Sequence, residues 1–328
     1  MPTQKEIAKK CGVSVAAVSA AFKRPKHLSK ETREKILAAA RDLGYLAARF
    51  EIKNIGLAFD GFRNHFLGEY YNEIIYGILE RLKELGLRAQ IFEKIPEKYQ
   101  EICELSGFLV IGNDSTHMAE DLERHGIPYI LVECTKGLAQ KHPHIYFDNL
   151  PGVEQLVEYV INCGHQHLAI LNGETDPQDI FWKNFQAGVK KMLLKNRLPL
   201  KNLTIFQADY NNLDSVDIGV NRLLSKHKKI SCIMCSNDLF AYAAALVLAK
   251  NKVRVPQDIS LTGFDGIAIP RHLKTPAPNL TTVFADRIKL GRDAVDYLLE
   301  VIQNPKDAPP KIAVETRLRV GETVRRVK

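Results

Sequence analysis

The first stretch of the chain carries three short patterns of helical period. In "TQKEIAKKC" the apolar Ile7, Ala8 and Cys11 recur on one face, and Thr3 with Glu6 makes a capping box at the start. Gly12 and Val13 form a turn. Ser14 then caps a second helix in which Val18, Ala21 and Phe22 face inward, and Pro25 ends it. Ser29 opens the third, "SKETREKILAAARDLGY", where Ile36, Leu37, Ala40 and Leu43 keep the period and Gly44 is the stop. So few large apolar groups make a small core, so this unit is only marginally stable alone.

From Ile55 the texture changes. Short apolar runs alternate with amphipathic stretches: "IGLAF" before "EYYNEIIYGILERLKELGL", "GFLVIG" before a helix at about 116–125, then "IPYILVE" and "HIYFD" before "PGVEQLVEYVINCGH". The pattern restarts near residue 168 with "LAILNG", a helix near 181–196, "LTIFQAD", a helix near 213–227, "SCIMCSND", a helix near 239–251 and "ISLTGFD". Strands alternating with helices imply parallel sheets covered on both faces. Roughly ten strands exceed one comfortable open sheet. Two similar α/β lobes are therefore expected, with ligands beyond the carboxyl ends of the strands. The late "NLTTVFADRIKLGRDAVDYLLEVI" is expected to return the chain to the first lobe.

Charge separates the two textures. Residues 1–53 hold 12 Lys/Arg against 5 Asp/Glu, while the remainder holds 34 against 33. Nearly all of the net +8 thus sits in the helical start, the footprint of a small module that binds a polyanion. No apolar run approaches the roughly 20 residues that span a bilayer. The start lacks the apolar core of a signal peptide. A cytoplasmic protein is expected, its six scattered cysteines reduced.

The spacing of "GVSVAAVSAAFKRP" is that of the turn and second helix of a helix-turn-helix, whose second helix enters the DNA major groove. Its early outward positions, Val15, Ala16 and Ala20, carry no hydrogen-bonding group. Val15 and Ala16 suit thymine methyl groups. Ser14 and Ser19 suit phosphates, and Lys23, Arg24 and Lys26 supply a basic end for phosphates or base edges. Thr3 and Ser29, at the starts of the first and third helices, complete the candidate DNA contacts.

These segments resemble the LacI/GalR family of bacterial transcriptional regulators. "EIAKKCGVSVAAVSAAF…LSKETREKILAAARDLGY" is similar to the family's DNA-binding head, and "IGLAF", "GIPYILVE", "FDN", "GHQHLAILNG", "CSNDLFAYAAALVL", "VPQDISLTGFD" and "LTTV" follow in its order. The resemblance implies an all-α helix-turn-helix head on a periplasmic-binding-protein-like body of two parallel-sheet lobes. It implies a homodimer on double-stranded, near-palindromic operator DNA, controlled by a small molecule between the lobes. The division it suggests is a head at 1–46, a linker at 47–54, one lobe from 55–154 and 284–312, and another from 155–283 and 313–328. Neither an enzyme nor a cofactor is implied.

The resemblance also places ligand residues. Tyr70 and Tyr71 fall where two aromatic residues face the ligand, and Tyr210 where an aromatic stacks on it. Asp148 matches an acidic position that meets a ligand hydroxyl or ties the lobes. Asn237 is the better ligand contact of "CSND" and Asp238 the helix cap, while Asp265 accepts from adjacent hydroxyls. The family's ligand-binding arginine corresponds to Phe185. Phe181, Trp182 and Phe185 make that edge apolar, with Lys183 one helical face away, and the cation is expected to have moved to Arg287. The loop residues Arg63, Asn64 and His65 are expected to be solvated. The effector expected is a neutral or acidic sugar or a related metabolite.

Other readings weigh less. Cys232 and Cys235 lie in one apolar strand and read as core, and His142/His144 and His165/His167 read as structural rather than zinc-binding. No Ser-His-Asp or paired-carboxylate pattern stands out. A cytoplasmic sugar-binding protein without DNA regulation would not need the basic head, and an enzyme on this scaffold is not excluded by fold. Only nine residues separate Tyr45 from Ile55, short for the hinge helix of typical relatives, though Leu46 or Phe50 would supply its wedge.

Overall fold

The computed structural model describes residues 3–23, 28–43, 52–59, 65–98, 101–112, 116–134, 141–174, 180–209, 214–226, 229–267, 279–304 and 310–327. The helical start forms α1 (Gln4–Cys11), α2 (Val15–Lys23) and α3 (Lys30–Asp42). The capping box is present in full: Thr3 Oγ1 accepts from Glu6 N–H, and the Glu6 carboxylate accepts from Thr3 N–H at 2.7 Å. Gly12 takes the left-handed conformation, φ 66°, that the turn requires. Ser14 Oγ accepts from Ala17 N–H at 3.1 Å and Ser29 Oγ from Thr32 N–H at 3.2 Å, so both expected caps form. Ile7, Cys11, Val18, Ala21, Ile36, Leu37 and Ala40 bury into one small core, with Leu43 against it. The side chain of Phe22 and all of Gly44 lie outside the described residues.

The chain divides into two compact units, Met1–Tyr146 with Arg287–Ala313, and Phe147–Asp286 with Val314–Lys328. In the first, β1 (Asn54–Phe59), α4 (His65–Glu84), β2 (Arg88–Phe92), β3 (Gly107–Ile111), α5 (Thr116–His125), β4 (Tyr129–Val132) and β5 (His144–Asp148) follow in order. In the second come α6 (Leu150–Asn162), β6 (Leu168–Glu174), α7 (Ile180–Lys195), β7 (Leu203–Asp209), α8 (Asp214–Lys226), β8 (Cys232–Cys235), α9 (Asp238–Lys250), β9 (Ser260–Asp265) and β10 (Thr281–Phe284). The late helix α10 (Arg287–Gln303) clusters with the first unit, and β11 (Lys311–Glu315) and β12 (Arg317–Arg319) each join one sheet. The first crossing falls after Tyr146 rather than at the expected 154/155, because α6 packs on α7 and β12 of the second unit.

The sheets repeat one topology. The first runs β11-β5-β4-β3-β1-β2 and the second β12-β10-β9-β8-β6-β7. Within each, the alternating strands pair in parallel, and β12 adds an antiparallel edge to β10. Central strands are apolar throughout (β3 is "GFLVI", all buried) because helices cover both faces. In the first unit α4 and α10 pack closely: a Cβ on Gly77 would strike the Ile288 carbonyl, and one on Gly291 the Ile74 carbonyl. Among the described residues no helix is long and apolar enough to cross a membrane.

Candidate functional site

In the first unit, the carboxyl ends of the parallel strands meet the starts of α4 and α10. Tyr70 and Tyr71 lie side by side on α4, rings edge to face with centroids 5.2 Å apart. Tyr71 is 4% exposed and packs edge-on against Phe59, which makes it a core residue. Tyr70 is half-buried, and its hydroxyl donates to the Glu133 carboxylate. Glu133 follows β4 and is buried, at φ 56°. A non-glycine residue in that region stores on the order of 1–3 kcal/mol of strain, and such residues cluster at functional sites. Its only sequence signal is its place after an apolar strand, which is why it was missed.

Arg287, the position to which the ligand-binding cation is expected to have moved, is paired within the first unit. It is 1% exposed, Nη2 donates to Glu73 at 2.7 Å, and the guanidinium stands 5.4 Å from the centre of the Tyr70 ring. Burying an arginine is tolerable only with such partners. The charge is used inside the unit.

In the second unit, the helix cap expected at Asp238 is supplied by Asn237 instead. Asn237 is the N-cap of α9, its Oδ1 accepting from Phe240 N–H at 2.7 Å. Asp238, fully buried, accepts from Ile267 N–H and Thr282 Oγ1, each at 2.6 Å. Burial, with the Asp238 charge acting in the same direction, pushes the Tyr242 phenol up to about 12. Asp265 ends β9 at φ 97°, again left-handed and strained. Asp148 ends β5, and its Oδ1 accepts from Leu150 N–H at 3.2 Å. Phe185 is 1% exposed and packs among Val153, Val189, Met234 and Phe264, so at the family's arginine position it is core rather than a ligand contact. Phe181 is half-buried, edge-on to Trp182 and to Phe264, and Lys183 is exposed. Tyr210 and the loop residues Arg63 and Asn64 lie outside the described residues, as does the side chain of His65. Two further polar residues towards the carboxyl ends of strands, Asn172 and Ser236, were missed because each only closes an apolar run, as loop residues commonly do.

On the head, Val15 and Ala16 are exposed on α2 and Ser19 is half-buried. Thr3 and Ser29 are exposed but engaged as caps. Lys23 ends α2, its side chain outside the described residues, as are Arg24 and Lys26. Cys232 and Cys235 are buried on opposite faces of β8, and burial raises both thiols. His165, buried, is within hydrogen-bond distance of Ser231 Oγ (2.8 Å) and the Arg325 carbonyl (3.0 Å), and burial lowers its pKa. His142 bonds Tyr129 at 2.7 Å and His144 the His142 carbonyl at 2.8 Å. Among the described residues no group of three His, Cys, Asp or Glu is placed to hold a metal ion.

The sequence profile of the bacterial regulatory proteins, lacI family, matches residues 3–47, and that of the periplasmic binding protein-like domain matches residues 157–324. The chain is 27% identical over 317 residues to the HTH-type transcriptional repressor PurR of Haemophilus influenzae, covering 92% of this chain and 91% of that protein. Its fold is shared by the transcriptional regulator CelR–cellobiose complex (TM-score 0.67, 22% identity, 98% of this chain and 100% of that one). It is also shared by the Lac repressor dimer bound to operator and the anti-inducer ONPF (TM-score 0.66, 22% identity, 99% of each chain). With its helical head matched by the one profile and its body by the other, the chain belongs to the LacI family of bacterial regulatory proteins.

Proposed function

We propose that this ligand-responsive DNA-binding regulator is a repressor whose homodimer holds two heads on a near-palindromic operator. A neutral sugar or related metabolite, bound by the body, changes that engagement. The observation that carries the reading is the pairing of two kinds of structure in one chain. The head exposes Val15 and Ala16 on a capped second helix and holds most of the net positive charge. The body repeats a sheet whose strand order reverses between β1 and β3, and again between β6 and β8, where such sheets bind ligands. A relative of the same fold holds cellobiose, and another sits as a dimer on its operator. The Arg287–Glu73 pair favours a neutral ligand over an acidic one, since an anion would have to displace Glu73. Exposed Ile218 on α8 and Leu246 on α9 give a second copy apolar surface to cover.

Gel shifts on fragments selected from random DNA, with and without a carbohydrate panel, test the reading. The expected outcome is sequence-specific retention that one neutral sugar alters. Sugar binding without any sequence-selective retention would instead make the chain a sugar-binding protein that regulates no operator.

A further inference from the structure

The second unit contains an uncharged polar pair at the point where its strand order reverses. Leu171 of β6 and Cys235 of β8 form the last paired rung, and Ser236 N–H donates to the Leu171 carbonyl at 3.0 Å. The next rung sets Asn172 beside Ser236. Because side chains alternate along a strand, both share the face of Ile170 and Met234. Phe185 and Phe264 belong to the same buried cluster as Ile170 and Met234, and Phe181 of α7 packs against it. Asn172 is 1% exposed and Ser236 is 0% exposed. Among the described residues, the Asn172 amide oxygen and the Ser236 hydroxyl have no hydrogen-bond partner. Thr262, which pairs beside Met234, and the Asn237 side-chain amide add two more unpartnered buried polar groups close by, and burying several such groups together is costly unless something satisfies them. Alanine or valine at either position would continue the core.

We propose that Asn172 and Ser236 are ligand-binding residues, satisfied by the effector's own hydroxyl groups, with the aromatic side chains of α7 beside them. The proposal deepens the proposed function and rests on it. The amide oxygen accepts from an O–H, and the serine hydroxyl donates or accepts. Neither group neutralises a carboxylate or a phosphate. The aromatic rings suit the apolar face of a sugar ring. The ligand class is therefore a neutral, hydroxyl-bearing ring, and the pair sets its specificity from the floor of the second unit.

The test is calorimetry on the full chain with glucose, cellobiose, maltose, ribose, glucuronate, glucose 6-phosphate and hypoxanthine, together with thermal melts of the ligand-free protein. Asn172→Val and Ser236→Ala are compared singly and combined. We expect a neutral sugar to bind the wild type, each single variant to lose at least tenfold in affinity, and the double variant at least a hundredfold. The ligand-free melting temperature should stay level or rise, because the unsatisfied groups are gone. Unchanged sugar affinity in the double variant would mean that the pair holds buried water only, and would overturn the proposal. So would an affinity loss matched by a lower ligand-free melting temperature, or glucuronate or glucose 6-phosphate binding more tightly than glucose. If no panel member binds the wild type, the carbohydrate reading fails. The melts then decide the pair: a lower melting double variant marks it as structural, and a higher melting one retains it as a site.

Discussion

Asp238 shows how a single side chain can be placed correctly by sequence and given the wrong task. "CSND" marks the end of a strand and the start of a helix, and both carboxylate and amide are good caps. Chain geometry settles the choice: Asn237 takes the extended conformation of an N-cap, leaving Asp238 inside α9 with its side chain turned into the unit. There it holds Ile267 N–H and the Thr282 hydroxyl, tying the segment after β9 and the strand β10 to the start of α9. Asp238→Ala would leave both donors buried without that acceptor, and should destabilise the second unit by about 3 kcal/mol. Urea unfolding should show a lower midpoint with an unchanged slope, and a loss under 1 kcal/mol would show that water replaces the carboxylate. Thr3 and Glu6 are the contrasting case, since a capping box is local and four residues specify it fully. Arg287 was not legible because Glu73, which neutralises it, lies far away in sequence and on another helix.

Helices and central strands were readable because each has its own period. The helices expected near 181–196, 213–227 and 239–251 begin and end within one residue of α7, α8 and α9. The edge strand β2 escaped notice because its residues, "RAQIF", are exposed or half-buried and carry no clear alternation. β11 and β12 escaped because, although they alternate, neither buries a residue fully. Nor does a periodic pattern reveal how closely two helices approach. The contact of α4 with α10 depends on Gly77 and Gly291, each facing a backbone carbonyl of the other helix. Across the same pair, Arg81 meets Asp296, and Arg292 meets Glu80 and Glu84, but these groups are substantially exposed. Such ion pairs contribute little, about 0–1 kcal/mol each. Gly291→Ala should therefore destabilise the first unit more than Arg81→Ala does, by roughly 1–3 kcal/mol, because the helices must separate. Thermal melts of the two variants check the order, and an equal loss would place the stability in the charges.

At the scale of the whole molecule, the restart of the strand–helix pattern near residue 168 made the repeated sheet legible, whereas the operator depends on the few side chains that the head presents. Its second helix exposes Val15 and Ala16 where a polar reader would carry amides or guanidinium groups. We propose that base discrimination comes from thymine methyl contacts and DNA shape, and affinity from the charge of the head. Selection from random DNA should enrich thymine opposite Val15 and Ala16, and Val15→Ser should relax that preference. The affinity should fall steeply with salt, because each phosphate contact releases counterions. Lys23 is the last residue of α2 and Arg24 and Lys26 follow it in the sequence, so Arg24→Ala should weaken binding across all operator variants and lower the salt slope by about 1. Ala20→Ser should change affinity less, since Ala20 is half-buried and its substitution adds only a hydroxyl. Titrations at several salt concentrations separate the two effects. Equal binding by the wild type and Arg24→Ala, with unchanged slope, would move the phosphate contacts away from the end of α2 and onto the remaining lysines of the head.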